Sequence, residues 1–140
     1  MRLACFLVVA HVAHGTIFTA SGNLRCYSDR TWCFYISFWE IDFLFKDDRL
    51  DFHGVQCIGR GNHFPYRLKG EEDGDGLFNN YYELAIYVRH NCTHNGQLRM
   101  VTNNLPLKSV AIPNINVEWD VDLTDNGEKI STYFFDNRIY

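Results

Sequence analysis

The sequence lacks the features that define several large classes of protein. It has no run of about 20 apolar residues, the length that a transmembrane helix needs. It has no cluster of basic residues: 13 Lys and Arg stand against 17 Asp and Glu, for a net charge of −4, which argues against nucleic acid as a partner. It has no C-x-x-C pair, so neither a dithiol redox motif nor a zinc knuckle is indicated. What remains is a chain with 46% hydrophobic residues, too apolar to be disordered.

The N-terminus carries a pattern that is typical of a secretory signal. Arg2 precedes the apolar segment LACFLVVAHVA, and small residues stand two apart at Ala13 and Gly15. A basic start, a short apolar run and small residues before a cut are the parts of a signal peptide. We therefore predict a signal peptide at residues 1–15, with a cut near Gly22 as an alternative, and one secreted, extracellular domain at residues 16–140. The competing interpretation is a buried N-terminal strand or helix.

Export of the chain would favour disulfide bonds between its cysteines. Removal of Cys5 with the signal leaves an even number in the mature chain: Cys26, Cys33, Cys57 and Cys92. Four cysteines in an oxidising compartment indicate two disulfides. Their spacing leaves all three pairings open.

Short runs of β-branched and aromatic residues, separated by turn-forming residues, fill the rest of the chain. Residues 32–43 show the pattern best, with Phe34, Ile36 and Phe38 on one face and Tyr35, Ser37 and Trp39 on the other. Similar runs occupy residues 24–28, 64–70, 80–92, 107–113, 115–123 and 129–135. The pattern is weak at residues 52–58, and residues 96–107 equally allow a loop followed by a strand or a short helical turn. Residues 46–51 indicate a loop or an edge. Asp125-Asn126-Gly127 is a strong hairpin signal. Seven or eight short antiparallel strands predict an all-β fold, a β-sandwich.

Chemistry is suggested at the end of the run 80–92, by His90-Asn91-Cys92-Thr93-His94. Alternate residues of a strand share a face, so His90, Cys92 and His94 are candidate zinc ligands or a thiol–imidazole pair. The favoured expectation is a disulfide at Cys92, because oxidation competes with thiolate ligation in an exported protein. We expect no metal, no cofactor and no catalytic residue. Asn91 begins an N-x-[ST] sequon and is a glycosylation candidate on the solvent face.

Two charged groups suggest binding of ions or lipid. The acidic loop at residues 71–76 concentrates oxygen ligands for Ca²⁺, although it fails the EF-hand template, and a solvated loop is the favoured interpretation. A basic patch for anionic lipid would draw on residues scattered along the sequence: Arg60, Arg67, Lys69, Arg89 and Arg99. The aromatic residues favour a sandwich core or an interface over a ligand pocket.

Five motifs, in order from about residue 22 to residue 113, resemble those of the nematode transthyretin-like proteins. They are Gly22-x-Leu24-x-Cys26; Trp39-Glu40-x-Asp42 with Asp47-Asp48-x-Leu50; Phe64 with Leu68 and Gly70; His90-x-Cys92; and Ile112-Pro113. The segment between Asp51 and Phe64 departs from the family pattern, and a second cysteine after His90-x-Cys92 is missing. Cys33 and Cys57 therefore have no counterpart in the family that can be assigned.

The resemblance implies a transthyretin-like (prealbumin-like) β-sandwich with an extracellular, non-enzymatic role at the cell surface. One family member bridges exposed phosphatidylserine and a phagocyte receptor, so the resemblance allows an extracellular protein receptor or an anionic lipid surface as partner. A secreted effector or inhibitor that displays loop 71–80 to a host protein is an alternative. The enzymatic branch of the fold hydrolyses 5-hydroxyisourate and ends in Tyr-Arg-Gly-Ser. This chain ends in Asn137-Arg138-Ile139-Tyr140, which makes that hydrolase the less favoured hypothesis.

Overall fold

The computed structural model describes residues 15–42, 46–72 and 80–131. These residues form eleven β-strands: β1 Thr16–Arg25, β2 Trp32–Glu40, β3 Asp48–Ile58, β4 His63–Glu72, β5 Tyr81–Tyr82, β6 Leu84–His90, β7 Arg99–Asn104, β8 Lys108–Ser109, β9 Asn114–Glu118, β10 Val121–Asp122 and β11 Glu128–Lys129. The expectation of an all-β fold is confirmed for this part of the chain. Within the same ranges, no helix is long and apolar enough to cross a membrane.

Two larger sheets and one small one organise these strands. The five-stranded sheet has the order β11-β7-β6-β2-β3 and is antiparallel throughout. In the four-stranded sheet, β1 pairs antiparallel with β4 on one side and parallel with both β9 and β10 on the other. The small sheet pairs β5 with β8.

The prediction of seven or eight antiparallel strands is wrong in number and in direction. The runs predicted at 80–92 and 115–123 are each divided, at Glu83 and at Trp119–Asp120. β1 runs parallel to β9 and β10, which a local sequence pattern cannot reveal because strand direction depends on the path of distant connections. β1 also starts at Thr16, eight residues before the predicted run at 24–28.

The turn at Asp125-Asn126-Gly127 forms, but the predicted hairpin does not. Asp125 and Gly127 have φ of 53° and 86°, as tight turns require. However, β10 before the turn pairs with β1, whereas β11 after it pairs with β7. The turn therefore carries the chain from one larger sheet to the other.

The core contains side chains from both larger sheets. Phe34, Ile36 and Phe38 of β2 are fully buried, as the alternation predicts. From the four-stranded sheet, Phe18 meets Phe38 edge-on with ring centroids 6.4 Å apart. It also meets Tyr82, at 4.8 Å. Edge-to-face aromatic pairs add about 0.5–1.5 kcal/mol beyond their burial.

The break between β9 and β10 is fixed by contacts with β1 and β4. A Cβ atom on Gly22 would lie 2.0 Å from the carbonyl oxygen of Trp119, so only glycine fits there. The next residue, Asn23, donates its backbone N–H to Asp120 Oδ1 at 2.8 Å, and Tyr66 donates its hydroxyl to the Trp119 carbonyl at 2.8 Å. The hydrogen bond from the Asn23 backbone, with lesser help from Arg25, lowers the pKa of Asp120.

The segment 46–51, predicted as a loop or edge, continues from Asp48 into the edge strand β3. β3 lies close to β4 of the other sheet. A Cβ on Gly70 would come within 2.7 Å of the Leu50 Cβ, so the missing side chain of Gly70 permits this approach. The Lys69 backbone N–H of β4 donates to Asp51 Oδ2 at 2.7 Å. The β3 and β4 edges are thus held together at this side.

Candidate functional site

The segment His90 to His94 does not assemble a zinc site or a thiol–imidazole pair. His90 and Cys92 are fully buried, whereas the His94 side chain is 76% exposed. The Cys92 sulfur is bonded to Cys26. Across the described ranges, no group of three or more His, Cys, Asp or Glu residues is placed to hold a metal ion.

His90 has a structural role at the end of β6. Its Nδ1 accepts the Cys92 backbone N–H at 3.2 Å, and its Nε2 has no hydrogen-bond partner in the described part of the chain. Burial lowers the pKa of His90 to about 4, with a further contribution from the positive charge of Arg99. The backbone of Asn126 favours the charged form and offsets part of this shift, although no contact to Nε2 has hydrogen-bond geometry. His90 is therefore a neutral core residue at physiological pH.

The four cysteines of the described residues form two disulfides, and the structure decides between the three pairings. Cys26–Cys92 joins the segment after β1 to the segment after β6, and so ties the two larger sheets together. Cys33–Cys57 joins directly opposed residues of β2 and β3, with Cα atoms 4.0 Å apart.

The sequon residue Asn91 is half-buried beside Cys33. Its side-chain Oδ1 accepts a hydrogen bond from the Cys33 backbone N–H at 2.7 Å, and its backbone N–H donates to the Cys33 carbonyl at 3.1 Å. The Thr93 hydroxyl is buried and donates to the Gln97 carbonyl. Glycosylation at Asn91 stays a prediction.

The calcium hypothesis concerns residues 71–76, of which Asp73 to Gly76 lie outside the described residues. Glu71 and Glu72 form the end of β4. The predicted signal peptide covers residues 1–15, of which residues 1–14 lie outside the described part.

One cleft, of about 270 Å³, is lined by residues that follow Cys26 and Cys92 in the sequence and by Thr124 and Asp125. Asp125 lines it, and its Oδ1 accepts hydrogen bonds from the backbone N–H and the ring Nδ1–H of His94, at 3.0 and 2.9 Å. Both hydrogen bonds lower the pKa of Asp125, and the one from the His94 backbone contributes most. The carboxylate thus fastens the His94 turn to the turn at residues 124–127.

A second cleft lies on the outer face of the five-stranded sheet, the side away from the core. Its volume is about 120 Å³, and it is lined by Tyr35, Ser37, Trp39, Asp47, Tyr87, Arg89 and Met100. Arg49 and Phe52 of β3 adjoin it, because they pair with Trp39 and Ser37. We call these nine residues the arginine–aromatic face.

Contacts between side chains order the arginine–aromatic face. The Arg49 guanidinium lies 4.2 Å from the Phe52 ring centroid and 5.8 Å from that of Trp39. It also donates to the Tyr35 hydroxyl at 3.3 Å. Trp39 Nε1 donates to Ser37 Oγ at 2.8 Å. These contacts fix the Arg49 guanidinium against the aromatic rings of Phe52 and Trp39.

Sequence reasoning placed Tyr35, Ser37 and Trp39 together but missed Arg49 and Phe52. The β2–β3 register shifts between Phe34 and Ile36 and again between Phe38 and Trp39. Each shift adds a residue to β3, as β-bulges do, so counting along β3 could not show which residues face outward. An arginine among β-strand aromatics was the available signal.

The basic candidates for lipid binding do not form one patch. Arg67 and Lys69 are exposed on β4 of the four-stranded sheet, whereas Arg89 lines the cleft on the other larger sheet. Arg99 is half-buried and donates to the Gly127 carbonyl at 2.9 Å.

Comparison with known proteins gives a family and one relative. Residues 21–132 match the family described as "Caenorhabditis elegans protein of unknown function (DUF870)". The chain is 25% identical over 127 residues to "Uncharacterized protein B0416.7" of Caenorhabditis elegans, with 88% of this chain and 92% of that protein covered. No solved structure matches the chain.

Proposed function

We propose that this chain, which belongs to the DUF870 family of Caenorhabditis elegans proteins, is a secreted, non-enzymatic binding protein. Its partner is an extracellular protein, such as a cell-surface receptor, that docks on the arginine–aromatic face. The observation that carries this proposal is the stack of Arg49 on Phe52 and Trp39 beside a small, preformed cleft.

The disulfides support export. All four cysteines in the described residues are paired, and such bonds persist in oxidising compartments. They also leave no thiolate among those residues for cysteine catalysis.

Several contacts support a β-sandwich of the transthyretin-like kind. Cys26 and Cys92, which carry two of the resembling motifs, bond to each other. Gly22 and Gly70, from two of the motifs, lie where the chain approaches Trp119 and Leu50 closely. These contacts give the motif residues structural roles, as the resemblance requires.

The size of the cleft favours a protein over a small molecule. Ligand pockets usually enclose about 300–1,000 Å³, whereas this cleft measures about 120 Å³, which is room for one inserted side chain. Protein interfaces bury such anchors in small pockets at their centre.

The composition of the face favours the same partner. Tyr, Trp, Phe, Met and Arg are the residues enriched in the core of protein interfaces, and they supply seven of its nine members. Two guanidiniums against one carboxylate make the face basic on a chain whose net charge is −4, so we expect an acidic patch on the partner. The separation of the basic residues over two sheets weighs against an anionic lipid surface.

A panel of purified nematode extracellular domains tests the proposal. The secreted chain is presented as wild type, as Arg49→Ala, and as Arg67→Ala, the control on the exposed side of β4. We expect a domain that binds the wild type and Arg67→Ala but binds Arg49→Ala at least about tenfold more weakly, the loss typical of an interface anchor. Far-ultraviolet circular dichroism and the melting temperature establish that each variant is folded.

Binding that Arg49→Ala leaves unchanged would contradict the proposal. So would binding to phosphatidylserine vesicles in place of any domain of the panel, or a requirement for loop 71–80, which the effector alternative predicts.

A further inference from the structure

The two disulfides differ sharply in their access to solvent. Cys26 and Cys92 are both fully buried in the core. Cys57 is exposed, and its partner Cys33 is half-buried. A thiolate must reach a sulfur atom to attack it, so the fold itself separates the two bonds.

The Cys33–Cys57 bond also lies at an edge of the five-stranded sheet. It links β2 to β3, which is one of the two terminal strands of the five-stranded sheet. Every residue of β3 is at least partly exposed, and a Cβ on Gly54 would meet no atom within 4 Å. Strands with few buried contacts at a sheet edge open at low free-energy cost.

We propose that Cys33–Cys57 is a thiol–disulfide exchange site for an extracellular dithiol, while Cys26–Cys92 is a permanent structural bond. One thiolate of the dithiol attacks the exposed Cys57 sulfur, and Cys33 leaves as a thiolate and takes up a proton. The second thiol of the reductant then attacks the mixed disulfide and releases Cys57 as a thiol. Two electrons pass to the protein, and the reductant is oxidised to its own disulfide.

Reduction acts on the arginine–aromatic face through β3. Arg49 and Phe52 lie on β3, and Cys33–Cys57 is a disulfide cross-link between β3 and β2. Loss of the bond leaves β3 attached by its ladder with β2 and its contacts with β4. The consequence for partner binding rests on the proposed function, whereas the exchange reaction does not.

Differential alkylation of the oxidised, folded chain tests the exchange site. The protein is treated with graded dithiothreitol, or with reduced thioredoxin, then quenched with iodoacetamide and digested for mass spectrometry. We expect Cys33 and Cys57 to become alkylated at least about tenfold faster than Cys26 and Cys92, because the buried pair reacts only after the core opens. Reaction with dithiothreitol alone assigns the site to small thiols, and reaction with both reagents assigns it also to thioredoxin-like proteins.

Equal rates at the two disulfides, or faster reduction of Cys26–Cys92, would overturn the proposal. The same reaction in guanidinium chloride is the control, since unfolding exposes all four sulfurs and should bring the rates together. A preference that survives unfolding would also overturn it. Hydrogen exchange on the singly reduced protein should then show faster exchange in β3 and unchanged exchange in β6.

Discussion

Acid should destabilise this protein through one buried histidine. The pKa of His90 is about 4 in the folded chain, against about 6.5 in an unfolded one. Between these values the unfolded chain binds a proton that the folded chain does not, so stability falls as the pH falls. Above about pH 6.5 the ring is neutral in both states, and the contribution is complete. It is lost as the pH drops to about 4.

The size of this effect follows from the difference between the two pKa values. One pKa unit corresponds to about 1.4 kcal/mol, so His90 removes about 3 kcal/mol of stability between pH 6.5 and pH 4. That is a large part of the roughly 5–15 kcal/mol that holds an ordinary domain together. The cost arises because protonation places a charge in the core, near Arg99.

Urea unfolding at several pH values, with the disulfides intact, measures the effect. We compare the wild type with His90→Gln and with His63→Gln, where the ring is exposed and its neighbour is Asn62. His63→Gln should keep the slope of stability against pH, and His90→Gln should lose most of it between pH 6.5 and 4. Equal slopes in the wild type and His90→Gln would refute the reasoning.

Three further predictions concern single contacts. Gly22→Ala should lower the free energy of unfolding by at least about 3 kcal/mol in a denaturant titration, because the added Cβ would overlap the Trp119 carbonyl. The control Gly54→Ala has open space around it and should change this free energy by less than about 1 kcal/mol. Equal effects of the two substitutions would refute the prediction. Replacing both Cys26 and Cys92 by Ser should lower the free energy of unfolding by about 4 kcal/mol, and replacing Cys33 and Cys57 by Ser should lower it by about 3 kcal/mol. The first loss is larger because a disulfide stabilises more when it closes a longer loop, and the sequence separations are 66 and 24. A lower melting temperature for the variant without Cys33 and Cys57 would contradict this prediction. Tyr66→Phe removes the hydrogen bond to the Trp119 carbonyl and should lower the free energy of unfolding by about 1 kcal/mol. A change near zero would contradict this prediction.

Local features of the fold could be predicted from the sequence. The alternation along residues 32–40 places Phe34, Ile36 and Phe38 in the core because the side-chain period of a strand is two whatever its neighbours are. The turn at residues 125–127 forms for an equally local reason, since Asp125 and Gly127 adopt positive φ.

Features that depend on distant partners could not be predicted. The parallel pairing of β1 with β9 brings together residues about 97 positions apart, such as Ile17 and Asn114, and no local pattern encodes it. Cysteine spacing likewise does not specify which sulfurs meet.

The candidate site shows the same division. Alternation predicts that His90, Cys92 and His94 share one face, but β6 ends at His90, so the alternation does not extend to His94. The arginine–aromatic face escaped notice because two bulges shift β3 against β2, and only the resulting register brings Arg49 opposite Trp39.

The most direct test of the central claim is a hydrogen-exchange footprint of the wild-type protein bound to the extracellular domain selected from the panel. The proposed docking predicts slower exchange in the segments of β2 and β3 that contain Trp39, Arg49 and Phe52, with no change in β4 at Arg67. Protection confined to β4, or to the small sheet of β5 and β8, would contradict the assignment of the arginine–aromatic face as the binding surface.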